Sequence, residues 1–224
     1  MKSNWMKWCV LPAAALMAGS VALAQEQSST QGSSPSAPAT QSSAPAAKPD
    51  PTIAQRKENQ QDRIANGVKT GQLTAGETAN LENKEAAING ETRADRAANG
   101  GKLTGAEKQQ INQQQNQVSK QIYQDKHNAN TAHYGNNEVG QRRENQQDRI
   151  AQGVKSGQLT AGETAKLENQ QRGINQQVKA DRAANGGKLT SGEKQQINKE
   201  QNQASKNIYN KKHNGKTQPK AKSK

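Results

Sequence analysis

The stretch Gly-x-Leu-Thr-x-x-Glu occurs four times, at residues 71–77, 101–107, 157–163 and 187–193. Each copy reads as a helix stop, a short turn and a helix start. Glycine suits the left-handed position that ends a helix. Threonine three residues before glutamate is a capping box, in which each side chain satisfies a backbone N–H that the helix leaves without a partner. Thr74, Thr104, Thr160 and Thr190 are therefore expected to cap with Glu77, Glu107, Glu163 and Glu193. Four copies in register commit most of the chain to helices joined by nearly identical turns.

The spacing of the copies reveals a longer repeat. RKENQQDRIANGVKTGQLTAGETANLEN, beginning at Arg56, returns 86 residues later as RRENQQDRIAQGVKSGQLTAGETAKLEN, beginning at Arg142. DRAANGGKLT recurs unchanged at Asp95 and Asp181. The expected fold is all-α, a tandem duplication of a three-helix up-down-up unit. Helices are expected at about 52–70, 75–99 and 105–126, and again at about 139–156, 161–185 and 191–212. A middle helix of about 25 residues spans roughly 37 Å and puts its two turns at opposite ends. Short connections then make neighbouring helices antiparallel. The first unit is placed at 52–130, a joining loop at 131–140, the second unit at 141–216 and a basic tail at 217–224.

Apolar residues support helices thinly. Ile64 and Val68, Leu81 and Ile88, and Ile111, Val118 and Ile122 fall on helical stripes, with Gln, Asn and Ala between them. A stripe of this kind makes a weakly specified core, so self-association or a partner surface is expected to complete it.

The start of the chain reads as an export signal. Residues 1–24 combine Lys2 and Lys7, an apolar run from Trp8 and the small-residue end Ala22-Leu23-Ala24, with cleavage expected after Ala24 and no membrane span thereafter. Residues 25–51 are rich in Ser, Ala, Gln, Thr and Pro, and are expected to form a disordered linker. The single cysteine, Cys9, would leave with the signal, as would both tryptophans, Trp5 and Trp8. That excludes disulfides, thiolate metal sites and a cysteine nucleophile from the mature chain. Its aromatics reduce to Tyr123, Tyr134 and Tyr209. The expected location is periplasmic or secreted.

No constellation of catalytic residues emerges, and neither an enzyme nor a cofactor is expected. The turns resemble the second half of an EF-hand calcium loop, with Glu77, Glu107, Glu163 and Glu193 at the last ligand place. The earlier ligand places hold Asn66, Val68 and Thr70 in the first turn, and Arg96, Ala98 and Gly100 in the second. Calcium needs six to eight oxygens, so no metal site is expected, and these four glutamates are its sole candidates. His127 and His213 stand at equivalent helix ends, four residues after a tyrosine, and read as terminal residues complementing the helix dipole. His133 stands alone.

Charge is the remaining lead. The chain carries 32 Lys and Arg against 19 Asp and Glu, a formal net charge of +13, at a mean hydropathy of −1.18. Such a field attracts polyanions. For an exported chain nearly devoid of stacking aromatics, an anionic envelope polymer or lipid surface is the better partner, and nucleic acid is disfavoured.

Two resemblances follow from these residues. QDRIANGVKTGQLTAGETANLEN, its partner DRAANGGKLT and the helix end KQIYQDKHN resemble an uncharacterised family of exported bacterial helical repeat proteins with GxLTxxE turns. In composition the chain is similar to hydrophilins and other stress-protective proteins. The reading is an exported, non-enzymatic helical repeat protein, an envelope-associated binding or structural module for an anionic partner. A hydrophilin-like protective protein is the alternative, and a degenerate EF-hand-like calcium-responsive protein the second alternative.

Overall fold

A computed structural model of the chain describes residues Thr52–Gln218. The expected signal segment (1–24), the expected linker (25–51) and the tail beyond Gln218 lie outside the described residues. Within them are six α-helices and no strand: α1 (Ile53–Lys69), α2 (Ala75–Ala98), α3 (Gly105–Lys126), α4 (Glu138–Ser156), α5 (Ala161–Ala184) and α6 (Ser191–Lys212).

Local chemistry sets these ends. Capping boxes open α1, α2, α3, α5 and α6, the first of them made by Thr52 and Gln55. α4 begins one residue earlier than expected because Asn137 caps it, its side chain accepting from the Gly140 N–H at 3.0 Å. Gly71 and Gly157 follow α1 and α4 at φ of 70° and 75°, a left-handed conformation that a Cβ would penalise.

The hydrogen bonds show how the helices run. Gln60 Nε2 donates to the Gln115 carbonyl (2.6 Å) and Ser119 Oγ (2.9 Å), and Gln115 Nε2 donates to the Ile53 carbonyl (2.9 Å). Low numbers on α1 meet low numbers on α3, so those helices are parallel. α2 runs back between their ends: Gln61 donates to Glu82 at 3.1 Å, and Gln110 and Gln114 donate to Glu91 at 2.6 and 2.7 Å. At an offset of 86 residues these bonds recur, save the pair to Glu91, whose counterpart is Gln177. Gln146 donates to the Gln201 carbonyl (2.7 Å) and Ser205 Oγ (2.8 Å), Gln201 to the Val139 carbonyl (2.9 Å), and Gln147 to Glu168 (2.9 Å).

The most extensive contact joins α2 to α5, and the next joins α1 to α4. α2 and α5 are antiparallel, since Gly76 abuts Arg172 while Gly162 abuts Ala86. The exchange is reciprocal in the core as well. Ala65 of α1 packs with Ile150, Val154, Leu159, Leu167 and Ile208, while Ala151 of α4 packs with Ile64, Val68, Leu73 and Leu81. A third cluster, Val139, Ile174, Val178, Ile197 and Ala204, fills the far half of α4–α6.

Two helical glycines let the turns fold back. A Cβ on Gly67 would lie 2.6 Å from Leu73 Cγ, and one on Gly153 would lie 2.6 Å from Leu159 Cδ1. Both leucines are fully buried, so neither can swing away. Gly67→Ala or Gly153→Ala is expected to lower stability by about 1–3 kcal/mol. Gly90→Ala, on α2 with nothing within 4 Å of the new methyl, is expected to raise it by about 0.5–1 kcal/mol. Urea midpoints of the three variants check the opposed signs.

Candidate functional site

The four turn glutamates use both carboxylate oxygens. Glu77 Oε2 accepts from the Thr74 N–H (2.9 Å) and hydroxyl (2.7 Å), while Oε1 accepts from Asn128 (2.8 Å) and Asn130 (3.2 Å) beyond the end of α3. Glu163 repeats this with Thr160 (3.2 and 2.8 Å) and with Asn214 (2.6 Å). Glu107 and Glu193 accept from the Thr104 and Thr190 N–H groups, each at 2.8 Å, and from Asn99 and Asn185, each at 2.7 Å. The cap therefore also ties down a second piece of chain. Sequence reading missed these asparagines, although Asn128 and Asn214 stand at equivalent places directly after His127 and His213.

These contacts set the glutamates' acidity. Partial burial alone would raise Glu77, yet bonds from the Thr74 backbone, Asn128, the Thr74 hydroxyl and Asn130 hold it below the usual carboxylate range. Burial likewise opposes, and bonds from Asn214 and Thr160 outweigh it, at Glu163. Glu107 and Glu193 are lowered first by the Thr104 and Thr190 N–H groups.

Of the other calcium-loop places, Asn66, Val68, Arg96 and Ala98 are helical, whereas Thr70 and Gly100 lie in the turns that follow. Asn66 and Val68 lie in the last turn of α1, and the Thr70 hydroxyl donates to the Asn66 carbonyl at 2.9 Å. Arg96 and Ala98 end α2. Among the described residues no group of three or more His, Cys, Asp or Glu side chains is placed to hold a metal ion. His127 and His213 cap α3 and α6. Each donates its Nδ1–H to the carbonyl of the tyrosine four residues back, at 2.7 Å. His133 Nε2 pairs with the Thr131 hydroxyl at 2.6 Å.

A second group of glutamates lies where α2 meets α5. Glu82, Glu85 and Glu168 have no solvent exposure. Burial pushes Glu85 up to about 7, against the attraction of Lys57, and Glu168 up to about 8, against its bond from Gln147. Glu82 is raised well above the usual range, by burial first and by the charges of Glu85 and Glu168, against the Gln61 bond and Lys57. Glu82 Oε1, both Glu85 oxygens and Glu168 Oε1 have no hydrogen-bond partner. Such oxygens favour the protonated carboxyl, which gains a donor as it loses its charge. One signal for this site was present in the sequence: Glu85 stands four residues after Leu81 and three before Ile88, on the buried side of α2.

The two halves differ here at the position of Glu85. Gln171, the counterpart of Glu85, donates to Gln146 Oε1 at 3.0 Å, whereas the corresponding Gln60 Oε1 has no partner. Glu85→Gln supplies the missing donor and is expected to stabilise the fold by about 1–3 kcal/mol at alkaline pH. The interior glutamates also set the sign of the pH dependence. Folded Glu85 and Glu168 hold protons up to about 7 and about 8, against an ordinary carboxyl value of 4.5. Their contribution is thus fully present below about pH 4.5 and is lost as pH rises through about 7 and then about 8. The lowered turn glutamates act oppositely, contributing above about 4.5 and losing that contribution on acidification. The melting temperature is expected to peak on the acid side of neutrality and to fall towards about pH 9, less steeply in Glu85→Gln. A melting temperature that rose across that range would contradict this arrangement.

No protein-family model matches the chain, and no curated protein or solved structure matches it either.

Proposed function

We propose that this is an exported, non-enzymatic helical module that binds an anionic partner of the bacterial envelope. In this reading a cleaved signal peptide and a Ser/Ala/Pro-rich linker precede two three-helix repeats of duplicated origin. The resemblance of the GxLTxxE turns to exported bacterial repeat proteins belongs to the same reading.

The observation that carries it is the sorting of charge between inside and outside. Among the described residues Glu82, Glu85, Glu163 and Glu168 are buried, and no Lys or Arg is. The other turn glutamates are engaged in caps. The described residues carry 26 Lys and Arg against 17 Asp and Glu, and with Glu82, Glu85 and Glu168 inside, their solvent-facing surface is more basic than that difference of +9 conveys. Lys69, Lys84, Lys102 and Lys108 are exposed on the first half, and Lys155, Lys166, Lys188 and Lys194 on the second. Arg182, Lys188 and Lys194 line an open cleft of about 470 Å³ with Glu138 the one carboxylate on its wall. Lys69, Lys102 and Lys108 recur 86 residues on as Lys155, Lys188 and Lys194, and a repeated set of cations suits a polyanion, because each further contact is made at high effective concentration.

Net charge alone would also attract a polyanion, so the test separates arrangement from charge. The mature chain, residues 25–224, is expected to co-sediment with isolated envelope polymer at about 0.15 M salt and to be released at about 0.5 M, where screening shortens to a few ångströms. A shuffled chain of identical composition is expected to bind at least about tenfold more weakly, since it pays the ordering entropy on binding. Equal binding by the shuffled chain would sink the module reading and favour a hydrophilic protective protein that needs no fold.

A further inference from the structure

The large apolar side chains left exposed among the described residues are Tyr123 (60%) and Tyr209 (57%), at equivalent places near the ends of α3 and α6. Neither ring is loose. Tyr123 stacks on His127 with ring centres 4.2 Å apart and 26° between planes, and Tyr209 stacks on His213 at 4.2 Å and 29°. Each imidazole is anchored by its Nδ1 bond to the tyrosine's own carbonyl, 2.7 Å in both cases. Stack and bond hold an aromatic ledge in place before anything lands on it, which reduces the ordering cost of binding.

Beside each ledge two cations are held together. Ser119, Tyr123 and Lys126 follow one another at i, i+4 and i+7, so they share a face of α3. Arg63 of α1 reaches that face, donating to the Ser119 carbonyl at 3.1 Å. The Lys126 stem lies over α1, with its Cγ 3.4 Å from the place a Cβ on Gly67 would take. Burial and the Arg63 charge both lower the Lys126 pKa. The second half repeats each element: Arg149 donates to the Ser205 carbonyl at 3.2 Å, Lys212 Cγ lies 3.4 Å from the Cβ place of Gly153, and burial with the Arg149 charge lowers Lys212. Two restrained like charges repel unless an anion joins them.

We infer that each Tyr–His ledge with its Arg–Lys pair is a seat for an acidic sugar residue of a polysaccharide. The pyranose lies on the exposed tyrosine ring, and its carboxylate sits between Arg63 and Lys126 or between Arg149 and Lys212. This rests on the anionic-partner reading above and names the partner class. A sugar fits better than nucleic acid because each seat offers one ring, whereas a single strand is tracked by successive stacking aromatics. It fits better than a lipid surface because the rest of these helix faces is Gln, Asn and Lys, with no apolar area to insert. Two seats on one chain make the protein bivalent for a single polymer.

The experiment is titration calorimetry of the mature chain and its variants with polygalacturonate, with polyphosphate as the charge-only comparison. Thermal melts first establish that each variant is folded, as expected for changes at exposed rings. Y123A/Y209A is expected to weaken polygalacturonate binding at least about tenfold and to leave polyphosphate within about twofold, from the loss of two ring contacts. Y123F/Y209F keeps both ledges and is expected to bind both polymers as the wild type does. K126Q/K212Q is expected to weaken both. If Y123A/Y209A bound polygalacturonate as tightly as Y123F/Y209F, or if the wild type bound polyphosphate but not polygalacturonate, the seats would be overturned while the anionic-partner reading stood. A wild type that bound neither polymer would overturn both.

Discussion

The antiparallel contact of α2 with α5 holds together a chain whose apolar residues are too few to bury themselves three helices at a time. With a mean hydropathy of −1.18, each stripe carries only two or three large apolar side chains. Together with the contact of α1 and α4, that contact supplies the missing wall reciprocally. Through the contact of α1 with α4, Ala65 enters the cluster of the second three helices and Ala151 enters that of the first. What a separate subunit would provide in a dimer is provided here by the other half of the same chain. The polar part of the stripe is specified too. Gln60, Gln115, Gln146 and Gln201 are buried, and each donates to a carbonyl on a facing helix. These amides hold α1 against α3 and α4 against α6 by direction as well as by contact.

The same interface governs charge. Packing α2 and α5 against each other and against α1 and α4 takes Glu82, Glu85 and Glu168 out of water, and a carboxyl there is more stable with its proton than without it. The interior thus stores acid in neutral form, and the surface keeps its full complement of lysine and arginine. The halves are unequal here: Gln171 completes a bond to Gln146 that Glu85 does not make to Gln60. The basic exterior and the pH-sensitive interior are two consequences of one act of burial.

The turn glutamates link local and long-range order. Glu77 starts α2 and at the same time holds Asn128 and Asn130, so the exit from α3 is fixed by the start of α2; Glu163 and Asn214 do the same after α6. The Tyr–His ledges lie at these exits. Their rigidity comes from a helix end that is capped by its own histidine and followed by a tethered segment, which gives a polar chain two defined aromatic surfaces.

Helices and turns were legible because their causes lie within four residues. Thr74 finds Glu77 without help from the rest of the chain, and Gly157 can end α4 wherever the helix sits. So the all-α class and the helix limits followed from sequence to within a residue or so, with the Thr52–Gln55 box of α1 and the Asn137 cap of α4 overlooked. Glu82 looks, in sequence, like a charge of any solvated helix face and Gln60 like any surface amide, and only the place of Glu85 between Leu81 and Ile88 signals burial. Whether a carboxyl keeps its proton, an amide becomes core or a lysine is pressed against an arginine depends on which helix arrives from 20 to 90 residues away. Sequence by itself determined where the chain turns and what starts each helix, because capping and periodicity are local. Only the tertiary structure decided which polar groups leave water, because burial and electrostatic cost belong to the packed helices together.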